Sequence, residues 1–191
     1  MNKLTSGAIV GTLGIALLLG GAGTFATWNQ STTANAGTVA SGTLTIANSG
    51  TASWKNISAD APTGGTAIAN IASYKIVPGD TLEMTQTFTV AASGDNLKAT
   101  LAFDPASIAT ANTADAALKA ATTVSFTATG GGVGASTTPN TVSVVSTAAG
   151  VNTVTVKLIV SLPAAVDGVT AQGGSLNLSA VAFKLAQNTR A

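Results

Sequence analysis

The stretch LEMTQTFTV, residues 82–90, decides how the rest of the chain is read. Leu82, Met84, Gln86, Phe88 and Val90 alternate with Glu83, Thr85, Thr87 and Thr89. A period of two sends successive side chains to opposite faces of an extended strand, so one face is apolar and the other polar. The stretch predicts a half-buried strand. Pro78-Gly79-Asp80 stands before it and Ser93-Gly94-Asp95-Asn96 after it, both turn signals. Leu97 to Phe103 then returns as a second apolar run, and the two runs together predict a hairpin.

Working outward, the same grammar recurs. Residues 39–46 begin to alternate, with Leu44 and Ile46 on one face, and Ala52 to Ile57 is a short candidate strand among turn signals. Strands are predicted at Thr122 to Thr129 and at Thr141 to Thr147. In another, Val154, Val156, Leu158, Val160 and Leu162 share a face until Pro163 ends it. Asp104-Pro105 breaks the pattern. The Ala-rich segment PASIATANTADAALKAA, residues 105–121, predicts one or two short helical turns crossing between sheets. Near the C-terminus Leu176 and Leu178 share one face, whereas Val181, Phe183 and Leu185 share the other register. A β-bulge at Ser179-Ala180 would turn both sets inward. The fold class is all-β: an antiparallel jelly-roll or Greek-key sandwich of about eight strands with a short helical insertion.

Composition agrees with strands and excludes several functions. Charged residues are 8% of the 191, against roughly 25% in an average globular domain, and apolar residues are 46%. Val and Thr suit pleated, half-buried surfaces. The formal net charge is +1, and the Lys and Arg residues are scattered. Nucleic-acid binding needs clustered positive charge, so none is expected. There is no Cys and no His. Thiolate and imidazole zinc sites, Cys nucleophiles and His general bases are therefore out of reach.

The amino terminus has its own layout. Met1-Asn2-Lys3 is a short positive segment, Ala8 to Leu19 an apolar run, and GGAGTFA, residues 20–26, a small-residue stretch. This fits a secretory signal peptide. The apolar run is shorter than the ~20 residues that span a bilayer, and Gly11, Thr12 and Gly14 interrupt it. Small side chains at Thr24 and Ala26 put the cut between Ala26 and Thr27. Ala34-Asn35-Ala36 is a purer motif, but it lies far beyond Leu19. The expected organisation is a signal peptide at 1–26, an extended polar arm at 27–38 and a β-sandwich at 39–191.

In combination these features resemble a known family. GGAGTFATWN, then TVASGTLTI, then VPGDTLEMTQTFTV and finally LSAVAFKLAQ resemble the TasA/camelysin family. These are exported proteins whose signal peptides are removed by a dedicated ER-type signal peptidase. The resemblance covers both ends and residues 77–90. Residues 104–150 carry nothing of it. It implies a jelly-roll subunit of biofilm matrix fibres, joined to further copies of itself by donor-strand exchange. The donor then lies in Thr27, Trp28, Asn29, Gln30, Ser31, Thr32 and Thr33, within an arm reaching about Thr38. Trp28 is either an anchor for a pocket on the neighbour or a residue left from the membrane interface. Contact with the membrane is expected only before cleavage. Camelysin-like members have been described as metalloproteases, yet a zinc protease needs paired His with a Glu, and Glu83 is the one Glu of a chain without His. The chain is expected not to be an enzyme and to need no cofactor or metal.

The remaining motifs read as structure. Gly130-Gly131-Gly132-Val133-Gly134 lacks the Lys-Ser/Thr of a phosphate loop and predicts a hairpin connection. Asp95, Asp104, Asp115 and Asp167 form no calcium-loop pattern and are expected in turns and caps. Asn56-Ile57-Ser58 and Asn177-Leu178-Ser179 match a glycosylation triplet that Asn- and Ser-rich chains carry by chance. The leading expectation is a secreted structural subunit that polymerises into extracellular matrix fibres. The alternative is a monomeric cell-surface module presenting its loops to a carbohydrate or protein ligand.

Overall fold

A computed structural model describes residues 38–166, 169 and 171–189. Every strand among the described residues lies in the unit from Ala40 to Ala191. The predicted cut at Ala26-Thr27 and the predicted donor residues lie outside the described residues, as do Asp167 and Arg190.

Among the described residues ten strands form two antiparallel sheets. They are β1 (Thr43–Asn48), β2 (Ser53–Asn56), β3 (Thr66–Ile68), β4 (Thr81–Ser93), β5 (Lys98–Asp104), β6 (Thr123–Gly130), β7 (Val133–Gly134), β8 (Thr141–Val145), β9 (Val151–Ser161) and β10 (Ala182–Gln187). The larger sheet runs β3-β2-β4-β9-β6, with β1 beside β2 along the same edge of β4. β1 pairs with residues 88–93 of β4, and β2 with residues 82–85. The smaller sheet runs β10-β5-β8-β7. The all-β sandwich expected from the alternation is therefore present. One helix, α1 (Thr113–Ala121), carries the chain from the smaller sheet back to the larger. Asn112 caps it: its Oδ1 accepts from Asp115 N at 2.9 Å.

The core lies between the sheets. β4 buries every second residue, as its alternation requires. Val154, Val156, Leu158 and Val160 of β9 are fully buried beside it. Gln86 sits on this inward face as a polar intruder. Its Nε2 donates to Gly50 O at 2.6 Å and to Thr87 O at 3.0 Å, which removes the penalty of burying it. Across from β4, Phe183 of β10 meets Phe88 edge-on at 5.4 Å and Phe126 at 5.6 Å.

Three local expectations are corrected. β4 and β5 do not form a hairpin: β4 pairs within the larger sheet and β5 within the smaller, so Gly94-Asp95-Asn96 carries the chain across the sandwich. Alternation fixes which face a strand buries, but not which sheet it joins. The glycine run is likewise no hairpin, because β6 pairs with β9 and β7 with β8. Gly132 has φ 74°, and a Cβ there would meet Val145 O at 2.5 Å, so the crossing needs glycine. The predicted bulge is replaced by a turn. Asn177 Oδ1 accepts from Ser179 N at 3.1 Å and from Ser179 Oγ at 2.6 Å, closing an Asx turn before β10. Leu176, Leu178, Val181, Phe183 and Leu185 still all pack on the core, so the phase change has the predicted consequence by another route.

Candidate functional site

The two sheets are unequal in length. β4 has 13 residues, whereas the longest strand of the smaller sheet has 7. At about 3.3 Å per residue these are about 43 Å and 23 Å. The smaller sheet lies over the Phe88 and Phe126 region. Among the described residues, no strand of the smaller sheet lines the hollow at Leu82 and Met84 of the larger sheet. Instead Leu118 of α1 and the segment Ala171 to Ser179 approach it. Irregular chain cannot interdigitate with a pleated surface as a second sheet does.

The result is a trough of about 1190 Å³ along the side of the sandwich. Trp54, Ile68, Ile71, Leu82, Met84 and Leu176 supply its apolar walls. A smaller hollow of about 300 Å³ adjoins it, sharing Ala52, Met84, Leu178 and Ser179, and reaches Ile46 of β1 and Phe183 of β10. Trp54 stands opposite Met84 on one neighbouring strand and Ile68 on the other.

Two polar devices hold the walls. Asp115, in the first turn of α1, accepts from Ser175 N at 2.7 Å and Ser175 Oγ at 3.1 Å through Oδ1, and from Ala111 N at 3.0 Å through Oδ2. The Ser175 amide bond, with the others, holds its carboxyl below the usual carboxylate range despite burial. Gly174 follows the same contact: a Cβ there would collide with Ala114 O of α1. At the other wall, Tyr74 OH donates to Asp80 Oδ2 at 3.3 Å and accepts from Asn56 Nδ2 at 3.1 Å. Burial, then the Asp80 charge, pushes the Tyr74 phenol up. Asn56 Oδ1 accepts from Ser58 N and Oγ, and Ser58 Oγ accepts from Thr81 N. The first glycosylation triplet is thus an internal brace.

Backbone edges complete the site. Among the described residues β1 pairs with β4 alone, and β10 with β5 alone. Both strands line the smaller hollow, so there each sheet ends in a strand with one side unpartnered among the described residues. Lys184 on β10 is paired with Asp104 at 2.7 Å, and β1 carries no charge.

The aspartates do not converge. Asp104 caps a 3-10 turn at Ala106 N and meets Lys184, which with its hydrogen bonds lowers its carboxyl; Asp115 braces α1; Asp95 sits in the crossing turn. Among the described residues no three His, Cys, Asp or Glu side chains group to hold a metal ion. No helix among them is long and apolar enough to cross a membrane. Sequence reasoning passed over Trp54. Its strand is four residues long, too short for a period to show, and the trough arises from a length mismatch between distant segments.

The chain matches no family model, no curated protein and no solved structure. Fold and site together define a class: a two-sheet antiparallel β-sandwich with one side incompletely closed.

Proposed function

We propose that this chain is an exported structural subunit that polymerises into extracellular matrix fibres by lending its N-terminal arm to the next copy. One observation carries the reading: the smaller hollow opens beside the unpaired edge of β1, the strand that directly follows the arm. An extended arm offers the backbone donors and acceptors that such an edge lacks. Its alternate side chains can enter the smaller hollow beside β1, with Trp28 the one large apolar anchor between Thr27 and Thr38. Donation from each copy to the next is a head-to-tail contact, which builds an open filament rather than a closed ring. The resemblance to the TasA/camelysin family supports the same reading. On it, an ER-type signal peptidase frees the arm by cutting after Ala26, and the membrane matters only before that step.

The test compares residues 27–191 with residues 37–191 by electron microscopy and sedimentation. Filaments are expected only from the longer form. Equal filaments from both forms would remove the arm from the mechanism. Trp28→Ala is expected to weaken assembly and leave the monomer's melting temperature unchanged. Trp54 and Tyr74 on the trough walls favour one other reading, a monomeric surface module for a carbohydrate or protein ligand, which gains if neither form assembles.

A further inference from the structure

The larger sheet has a second long edge, on β6, away from the trough. β6 pairs with β9 along its whole length, from Thr123 opposite Ser161 to Gly130 opposite Val154, and among the described residues no strand pairs with its other side. Proteins ordinarily blunt such an edge by shortness, charge, proline or a bulge. Three of the other outer strands of this sandwich use these devices: β7 has two residues, β3 has three, and β10 carries the Lys184–Asp104 pair; β1, the edge assigned to the arm, has six uncharged residues. β6 uses none. It has eight residues, TVSFTATG, with no charge, no proline and an unbroken register.

We propose that β6 is an interface between copies: it pairs antiparallel with β6 of a second copy, about a two-fold axis perpendicular to the sheet. The inference rests on the fibre reading at one point only, that the arm engages the β1 side and leaves β6 as the long free edge. A strand paired with its own copy is self-complementary by symmetry, each unpaired N–H meeting a C=O of the partner. That axis keeps like faces together. The exposed Thr123, Ser125, Thr127 and Thr129 then lie opposite hydroxyl residues of the second copy, a favourable cross-strand class. They extend a hydroxyl row already present, in which Thr87, Thr155 and Thr129 stand side by side on β4, β9 and β6. Charge offers no resistance: Lys157, on the adjacent strand, is paired with Glu83 at 3.0 Å. A single edge contact is small. Repeated along a fibre it becomes multivalent, and it joins fibres side by side.

The absence of native cysteine makes a clean test possible. Ser125→Cys and Thr127→Cys are made singly in residues 27–191, oxidised alone and as a mixture, and read by non-reducing electrophoresis. A disulfide dimer is expected in one of the three samples, depending on which residue lies on the axis. Thr45→Cys on β1, mixed with either variant, is expected to give none. No link within β6, or a link only to β1, overturns the inference. Ser125→Lys/Thr127→Lys, on the exposed face, is expected to form fibres of normal length that lose side-by-side pairing; unchanged pairing overturns it too. If residues 27–191 make no fibres yet link through β6, the fibre reading fails and this inference stands.

Discussion

The two ends of β4 repeat one pattern in two environments. At Phe88 its inward side chain packs against the Phe183 ring of the smaller sheet, and Val90 and Ala92 beyond it are fully buried. At Leu82 and Met84 the same inward face looks into the trough, beneath a helix end and the segment 171–179. The strand does not change; what lies opposite does. A pleated face is fully used only when another pleated face meets it, and a strand longer than its partners leaves the surplus to irregular chain.

Four experiments sharpen or break this contrast. The largest effect is expected in the closed half. Leu101 is fully buried there, and Leu101→Ala should cost about 4 kcal/mol in denaturant unfolding, near the upper part of the usual range. Met84→Ala should cost about 2 kcal/mol, because Met84 already borders both hollows and its removal opens less new void. Equal costs would mean that the two halves are packed alike. Next comes the brace. Asp115→Asn should speed hydrogen exchange at Ser175 while leaving the β9 amides protected. The folded carboxyl is held below its unfolded value, so its contribution is complete above about pH 4, the ordinary Asp range, and is lost as pH falls through the lowered value. Acid should therefore loosen segment 171–179 in the parent protein and have little further effect there in the variant. The smallest change is expected on the outer face. Lys157 is half exposed, and Glu83→Gln should alter stability by less than about 0.5 kcal/mol.

Much of the closed half could be read from residues. The alternation at 82–90 and 154–162 named the inward side chains, and the break at Asp104-Pro105 located the helical crossover. The misreadings share one physical source. A turn such as Ser93-Gly94-Asp95-Asn96 serves a hairpin or a crossing equally well, since its local backbone does not encode which partner the next strand finds. The Asx turn at Asn177 likewise does the work assigned to a bulge, because both devices shift the side-chain phase. The trough was illegible: it depends on Trp54, Met84 and Leu176, far apart in the chain, and on strands of unequal length meeting in space.

By itself the sequence determined which residues extend and which face each strand buries, because a period of two and the burial of apolar surface act locally along the chain. Only the tertiary structure decided how strands are shared between the sheets, where the smaller sheet runs out and which edges stay unpaired. Those outcomes depend on hydrogen bonds and packing between segments as distant as β1 and β10, which no stretch of the chain carries alone.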